Sequence, residues 1–204
     1  MTEDVDKKRT SKYLGKIETK EELLNALDKG LYYKQNRIEE VFYRKFSILR
    51  KKVHKVLEEK DISELDYEVY VNSILVDCRA LFLENARYEF NSTLQSTYKA
   101  RDLEQYAKSI DEFFNQEISK GMTLKTVIKD WVDKRVVHVD YLDAKDEEIF
   151  IENIHSILDD ETINNIFMYI LIIASQYEEV REKYGKNAEE QMERTLAYLT
   201  SDPE

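Results

Sequence analysis

The stretch from Trp131 to Asp140 holds the residue types that phosphodiester chemistry requires. Lys134 and Arg135 stand four and three residues before His138, and residues at these spacings project to one side of a helix. Histidine is the natural base near neutral pH, and a guanidinium holds a phosphate through two parallel hydrogen bonds. In metal-free RNA cleavage, a base takes the ribose 2′-hydroxyl proton while a cation stabilises charge on the phosphate oxygens. The stretch contains this minimum set.

Basic residues surround this stretch, and they allow two interpretations. Residues 120–138 carry five Lys or Arg residues and two Asp residues, a net charge of +3. Such an island can bind a phosphate locally. It is equally typical of the charged, solvated face that any surface helix presents, and a histidine falls beside basic residues by chance on many such faces.

The same stretch resembles a motif of the HEPN superfamily of helical proteins, and in particular its AbiU-like abortive-infection branch. Members of that branch carry a segment close to Arg-Asp-Lys-x-x-Ala-His-x-Asp, and Asp133, Lys134, His138 and Asp140 occupy the matching positions. The resemblance implies a metal-independent endoribonuclease of phage-defence or toxin-antitoxin type, with RNA as substrate, a homodimer as the working unit and an antitoxin as a protein partner. It implies His138 as the general base or acid, positioned by the two aspartates.

The chain departs from this pattern where the family places its phosphate-binding arginine, because Val132 stands there. Arg135, together with Lys134, is expected to stabilise the phosphate instead. Arg79, on a preceding long helix, and the nearby Glu84 are expected either to point at the motif or to be ordinary surface ions. Two hypotheses stay open: an RNA-cleaving protein or its impaired relative, and a non-catalytic bundle that binds a protein partner through its acidic C-terminal third.

Composition predicts the fold class that must position these residues. The 204 residues include only four glycines and one proline, too few for the turns of a sandwich, barrel or doubly wound sheet, and 36% are charged. Charged residues spread among apolar ones are what amphipathic helices require. We therefore expect an all-α, up-and-down helical bundle with two long antiparallel helices and a shorter C-terminal helical layer. Residues 1–18 are expected to form a flexible charged tail, and residues 19–204 a single HEPN-like domain.

Apolar spacing and capping residues predict the helices along the chain. Gly30 is expected to separate a first helix from a long one, and Gly121 to end a helix in the left-handed conformation. Residues 91–100 lose the periodicity, and residues 136–139 suit either a last helical turn or extended chain. Helices are predicted to begin near residue 20 and to cover about 37–59, 64–90, 103–118, 124–137, 146–158, 161–182 and 187–199.

Charge and cysteine content restrict the remaining functions. Residues 1–138 have a net charge of +1 and residues 139–204 a net charge of −12, so generic coating of DNA is disfavoured. The lone Cys78 excludes an internal disulfide and fits a reducing, cytoplasmic location. No membrane segment is expected. Glu152 and His155 have the spacing of a di-iron ligand pair, but no second such pair exists, so neither a metal nor another cofactor is expected.

Overall fold

The described part of the chain is helical apart from one small hairpin, which confirms the predicted all-α bundle. A computed structural model describes residues 19–28, 30–84, 92–99, 103–119, 121–137 and 156–184, with Arg101 and positions 193, 196, 197 and 200. The helices are α1 (Lys20–Asp28), α2 (Leu31–Glu58), α3 (Glu64–Cys78), α4 (Leu94–Lys99), α5 (Glu104–Phe114), α6 (Leu124–Trp131) and α7 (Asp160–Tyr184). The predicted tail over 1–18 and most of the helices predicted over 146–158 and 187–199 lie outside the described residues.

Local side chains set the start of the first helices. Thr19 Oγ1 accepts a hydrogen bond from the Glu22 amide, and the Glu22 carboxylate accepts one from the Thr19 amide, each at 3.2 Å. This reciprocal pair satisfies two amides that the first turn of α1 leaves open. Gly30 has φ = +62°, a conformation that costs other residues energy, and the chain breaks between α1 and α2 there as predicted.

Helices α2 and α3 form the predicted long antiparallel pair. Ser63 caps α3 by accepting a hydrogen bond from the Asp66 amide at 3.1 Å. Within the pair, Lys52 Nζ of α2 donates to Ser73 Oγ at 2.7 Å and to Asp77 Oδ2 at 2.5 Å. The prediction that this helix continues to residue 90 is wrong, because α3 passes into a π-helical segment, Arg79–Leu83, and Glu84 is already extended with ψ = 131°.

The chain after α5 corrects a second prediction. The helix ends at Phe114, four residues before Ile118, and strands β1 (Glu117–Ser119) and β2 (Met122–Thr123) pair antiparallel. Gly121 has φ = +79°, so the left-handed conformation was predicted correctly. It serves a hairpin turn rather than a helix end, and both structures favour glycine for the same steric reason.

Helix α4 lies in the segment that loses the apolar periodicity, where the sequence predicted no separate helix. Thr93 Oγ1 accepts a hydrogen bond from the Ser96 amide at 3.2 Å and so caps the helix. Five consecutive residues of α4, Leu94 to Tyr98, are buried. A short helix that is buried on every side shows no amphipathic repeat, which explains why the sequence pattern did not reveal it.

The contacts of the chain divide it into two compact units. The first unit comprises residues 1–44, 85–109 and 176–204, and the second comprises residues 45–84 and 110–175. In the first unit, the Phe42 and Tyr177 rings meet edge to face at 5.2 Å between centroids. In the second unit, Phe82 stacks on Phe114 at 5.7 Å. Each unit therefore has an aromatic core of its own, within which such ring pairs contribute about 0.5–1.5 kcal/mol beyond area burial.

The first unit also buries an ion pair. Arg101 donates from Nε to Glu39 Oε1 at 2.7 Å and from Nη2 to Glu39 Oε2 at 2.8 Å. Their side chains are 1% and 2% exposed. The bidentate geometry gives each buried charge its hydrogen-bond partners, which is the condition under which such a pair is tolerated in a low-dielectric interior.

Among the described residues, no helix has both the length and the apolar character needed to cross a bilayer.

Candidate functional site

Two π-helical segments meet in the second unit. Helix α3 continues as the π-helical segment Arg79–Leu83, and α6 continues as the π-helical segment Val132–Val137. The first segment lies against α6, and the second lies against α3. A π-helical turn inserts an extra residue and re-aims the side chains that follow, and such turns occur frequently at functional sites. The second segment contains the predicted Asp133-Lys134-Arg135 cluster.

Arg79 joins these two segments through a bidentate ion pair. Its Nε donates to Asp133 Oδ1 at 2.5 Å and its Nη2 donates to Asp133 Oδ2 at 3.2 Å. On the other side, Nη1 donates to Glu84 Oε2 at 2.5 Å. The three side chains, which we call the Arg79 cluster, are 26%, 40% and 44% exposed in the order Arg79, Asp133 and Glu84. The guanidinium thus lies at the protein surface and holds two carboxylates.

The electrostatic state of the Arg79 cluster follows from these contacts. The hydrogen bond to Asp133 is the largest cause that raises the pKa of Arg79, and the charge of Glu84 raises it further against the effect of partial burial. The guanidinium is therefore permanently charged. One positive and two negative charges give the cluster a net charge of −1 when both carboxylates are ionised. The two carboxylates use three of the five N–H donors of Arg79, so an incoming phosphate competes with them for a bidentate contact.

Polar contacts also fix the neighbouring turns of α3. Trp131 Nε1 of α6 donates to Asn72 Oδ1 at 2.8 Å. On the opposite side of α3, Lys52 holds Asp77 and Ser73. Helix α3 is thus connected by charged or polar contacts to α2 on one side and to α6 on the other, and these contacts hold the Arg79 cluster in place.

Val132 occupies the position at which the resembled family carries arginine, and its side chain is completely buried. Burial of an unpaired guanidinium costs roughly several kcal/mol, even after the surrounding protein has relaxed. Arginine is therefore disfavoured at this position in the observed packing. Arg79 reaches the adjacent residue, Asp133, from a different helix.

The other predicted site residues have different outcomes. Lys134 lies in the second π-helical segment and is partly exposed, as are Lys125 and Lys129 of the predicted basic island. Arg135 has a described backbone in the same segment, but its side chain lies outside the described part. His138 and Asp140 lie outside the described residues. The structure therefore brings together Arg79, Asp133 and Glu84.

Metal and thiol chemistry find no support among the described residues. No group of three or more His, Cys, Asp or Glu side chains there is arranged to hold a metal ion. Glu152 and His155, which have the spacing of a di-iron ligand pair, lie outside those residues. Cys78 is fully buried, and desolvation is the largest cause that raises the pKa of its thiol. A buried, protonated thiol is inert as a nucleophile.

Sequence reasoning missed two charged features. Glu39 stands three residues before Phe42 and seven before Phe46, so it interrupts an apolar stripe, and a charge at a stripe position is the signal that a buried partner exists. The second feature is a basic stretch in α2. From Val41 to Leu57 the chain has six Lys or Arg residues and no Asp or Glu, and a charge count over shorter windows would have revealed it.

Comparison with known protein families, with curated proteins and with solved structures finds no match for this chain. The chemistry available at the site therefore follows from its residues alone. The Arg79 cluster and Lys134 place two cations at the surface next to the residues that precede His138. These two cations could bind an anion with oxygens at several positions, such as a phosphodiester, in competition with the two carboxylates that contact Arg79.

Proposed function

We propose that the chain is an HEPN-like, metal-independent endoribonuclease. In this proposal Arg79 supplies the guanidinium that the resembled family has at the position of Val132. The observation that carries the proposal is the bidentate contact of Arg79 with Asp133. It brings a guanidinium from the π-helical segment after α3 to the motif, one residue from the position at which the resembled family has its own. In this proposal Arg79 and Lys134 bind the phosphate, and the toxin-antitoxin setting and the homodimer follow from the same resemblance.

The proposed reaction needs no group beyond water and the chain's own residues. His138 takes the proton of the ribose 2′-hydroxyl, and the 2′-oxygen forms a bond to phosphorus. The bond from phosphorus to the 5′-oxygen breaks, and that oxygen takes a proton from solvent. The products are a 2′,3′-cyclic phosphate and a 5′-hydroxyl. Arg79 stabilises the charge on the phosphate oxygens after Glu84, the more exposed of its two carboxylates, has given up its contact.

The test is cleavage of structured RNA by the purified chain in the presence of a chelator. We expect His138→Ala to lower the rate by about 100-fold or more, the usual contribution of a general base. His54→Ala is the matched control, because His54 is an exposed histidine of α2 whose contact is Glu58. Arg79→Lys keeps the charge but loses the fork of donors, and we expect a loss of about 100-fold.

The substrate offers a second control. A 2′-deoxy substitution at the cleaved nucleotide removes the attacking hydroxyl and should leave that bond intact. Cleavage that is unchanged in His138→Ala, or cleavage of the deoxy substrate, would contradict the proposal. The absence of cleavage with every RNA substrate tried would also contradict the proposal.

A non-catalytic helical bundle that binds a protein partner is the second candidate. Two observations favour it: both carboxylates of the Arg79 cluster occupy the guanidinium, and the arginine position of the motif is a buried valine. Under this hypothesis the Arg79 cluster only joins α3 to α6, and the acidic C-terminal third carries the function. Arg79→Lys would then leave partner binding unchanged, and no RNA would be cleaved.

A further inference from the structure

Helix α2 presents a lysine face in the second unit. Lys45, Lys51, Lys52 and Lys55 lie within an arc of about 120° when 3.6 residues form each turn. Lys45, Lys51 and Lys55 are exposed, and so is Ile48 between them at 49%. We call these four lysines the α2 lysine face. Neither the motif nor the proposed reaction uses them.

Two of these lysines are held by carboxylates and two are not, among the residues that the structure describes. Lys52 contacts Asp77, and Lys55 contacts Glu59 at 2.6 Å. No ion pair with a described carboxylate is present for Lys45 or Lys51. Lys45 and Lys51 are six residues apart, about 9 Å along the helix axis. The unneutralised charge is therefore concentrated at the exposed centre of α2.

We propose that the α2 lysine face binds the phosphate backbone of RNA. The proposal rests on the proposed function, because it gives the same substrate a second contact region beside the Arg79 cluster. Helix α3 lies between the two regions: it contacts Lys52 through Asp77 on one side and Asp133 through Arg79 on the other. The exposed residues of the first turns of α3 include Glu64, Asp66 and Glu68, so an RNA strand bound to the α2 lysine face would pass the C-terminal half of α3, where Lys52 meets Asp77.

The net charge of −11 does not prevent this contact. At physiological ionic strength the screening length is about 8 Å, so a bound phosphate interacts with the nearest charges and little with distant acidic residues. Duplex nucleic acid carries about one charge per 1.7 Å of axis, and neutralising these phosphates releases condensed counterions. An acidic peptide has a lower charge density and gains less from this release. RNA is therefore the occupant that the lysine face fits best.

The test separates binding from cleavage. The probe is a fluorescein-labelled 2′-O-methyl RNA hairpin, which keeps the phosphates but has no free 2′-hydroxyl to react. Its affinity is measured by fluorescence anisotropy between about 50 and 200 mM salt. The variant is Lys45→Glu with Lys51→Glu. The matched control is Lys20→Glu with Lys99→Glu, which changes the net charge equally at two exposed lysines of the first unit.

We expect the Lys45 and Lys51 variant to bind at least about tenfold more weakly at low salt, with a salt slope smaller by about 2. The control variant should bind nearly as the parent chain does. Circular dichroism serves as the check that both variants are folded. Equal affinity of parent and variant would overturn the proposal, and so would an equal loss in the control. Competition by polyglutamate as effective as by RNA would identify an acidic protein as the occupant and would also overturn it.

The two proposals fail in different ways. RNA binding that depends on the lysines, without any cleavage of natural RNA, would reject the nuclease and leave the lysine face standing. Cleavage that requires His138 but does not depend on Lys45 and Lys51 would reject the lysine face alone.

Discussion

Arg79 is the residue whose surroundings determine what the motif can do. It begins the π-helical segment after α3, it contacts Asp133 in the π-helical segment after α6, and it also contacts Glu84. Any anionic ligand therefore competes for Arg79 with the two carboxylates that already contact it. A phosphate that binds Arg79 competes with both carboxylates for its N–H donors, so ligand binding and the connection between the two π-helical segments are energetically linked.

The strength of this connection can be measured with a double-mutant cycle of Arg79→Gln and Asp133→Asn. The side chains are 26% and 40% exposed, so solvent screens the pair and we expect a coupling of about 1 kcal/mol that falls with added salt. The free energy of unfolding in urea gives the value.

The matched control pair for this cycle is Arg44 with Glu40, whose side chains are 71% and 49% exposed. We expect a coupling there of no more than about 0.5 kcal/mol. A coupling near zero at Arg79 and Asp133 would contradict the expectation that this ion pair stabilises the connection between the two π-helical segments.

At the scale of elements, α6 is the helix that presents the motif, and its start is set by one side chain. Thr123 Oγ1 accepts a hydrogen bond from the Thr126 amide at 3.2 Å. The preceding hairpin places Thr123 there, because β2 ends at this residue. The position of the motif therefore depends on a cap at one end of α6 and on the Arg79 cluster at the other.

Thr123→Ala should lower the free energy of unfolding by about 1 kcal/mol, because the first turn of α6 loses an acceptor for one of its open amides. Thr123→Ser keeps the oxygen and should be nearly neutral. Urea unfolding of both variants measures the difference. An equal loss in both variants would show that the methyl group, not the cap, stabilises this turn.

The elements that could be predicted from sequence are those that depend on neighbouring residues. Thr19 with Glu22 and Thr123 mark helix starts through contacts three residues away, and Gly30 marks a break because of its own backbone angle. The early end of α3 and the buried helix α4 depend on packing against distant residues. Local patterns carry no such information, since a fully buried helix has no polar face.

The candidate site, too, could be predicted from the sequence only in part. The motif residues Asp133 and Lys134 were found by spacing and resemblance. The contact of Arg79 with Asp133 joins positions 54 residues apart, so a local pattern could not decide between a functional arginine and a surface ion. The catalytic assignments of His138, Arg135 and Lys134 stay predictions, and so do the supporting roles of Asp133 and Asp140.

At the scale of the whole molecule, charge is distributed very unevenly. The chain has a net charge of −11, yet α2 carries a stretch of six basic residues without an acidic one. The core of the first unit also contains charge, in the pair of Glu39 and Arg101. These residues are 62 positions apart, so the pair connects distant parts of the chain within that unit. Such pairs contribute more to the choice of a single structure than to net stability in some proteins.

Loss of one partner of the buried ion pair should strongly reduce the stability of the fold. We expect Arg101→Met to lower the free energy of unfolding by about 3–5 kcal/mol, because Glu39 is left as a buried charge without its cation. The double variant Glu39→Leu with Arg101→Met removes both charges and should be more stable than Arg101→Met alone. Unfolding in urea tests this, and a double variant as unstable as the sum of the two single variants would contradict it.

Trp131 is an intrinsic fluorescent probe located close to the Arg79 cluster. It is the only tryptophan in the chain, its indole N–H is held by Asn72, and it stands two residues before Asp133. Excitation at the red edge of indole absorption avoids the tyrosines and reports from this one location. A ligand that draws Arg79 away from Asp133 should shift the emission maximum, so unlabelled samples suffice for a titration, and Asn72→Ala supplies the reference spectrum of a released indole.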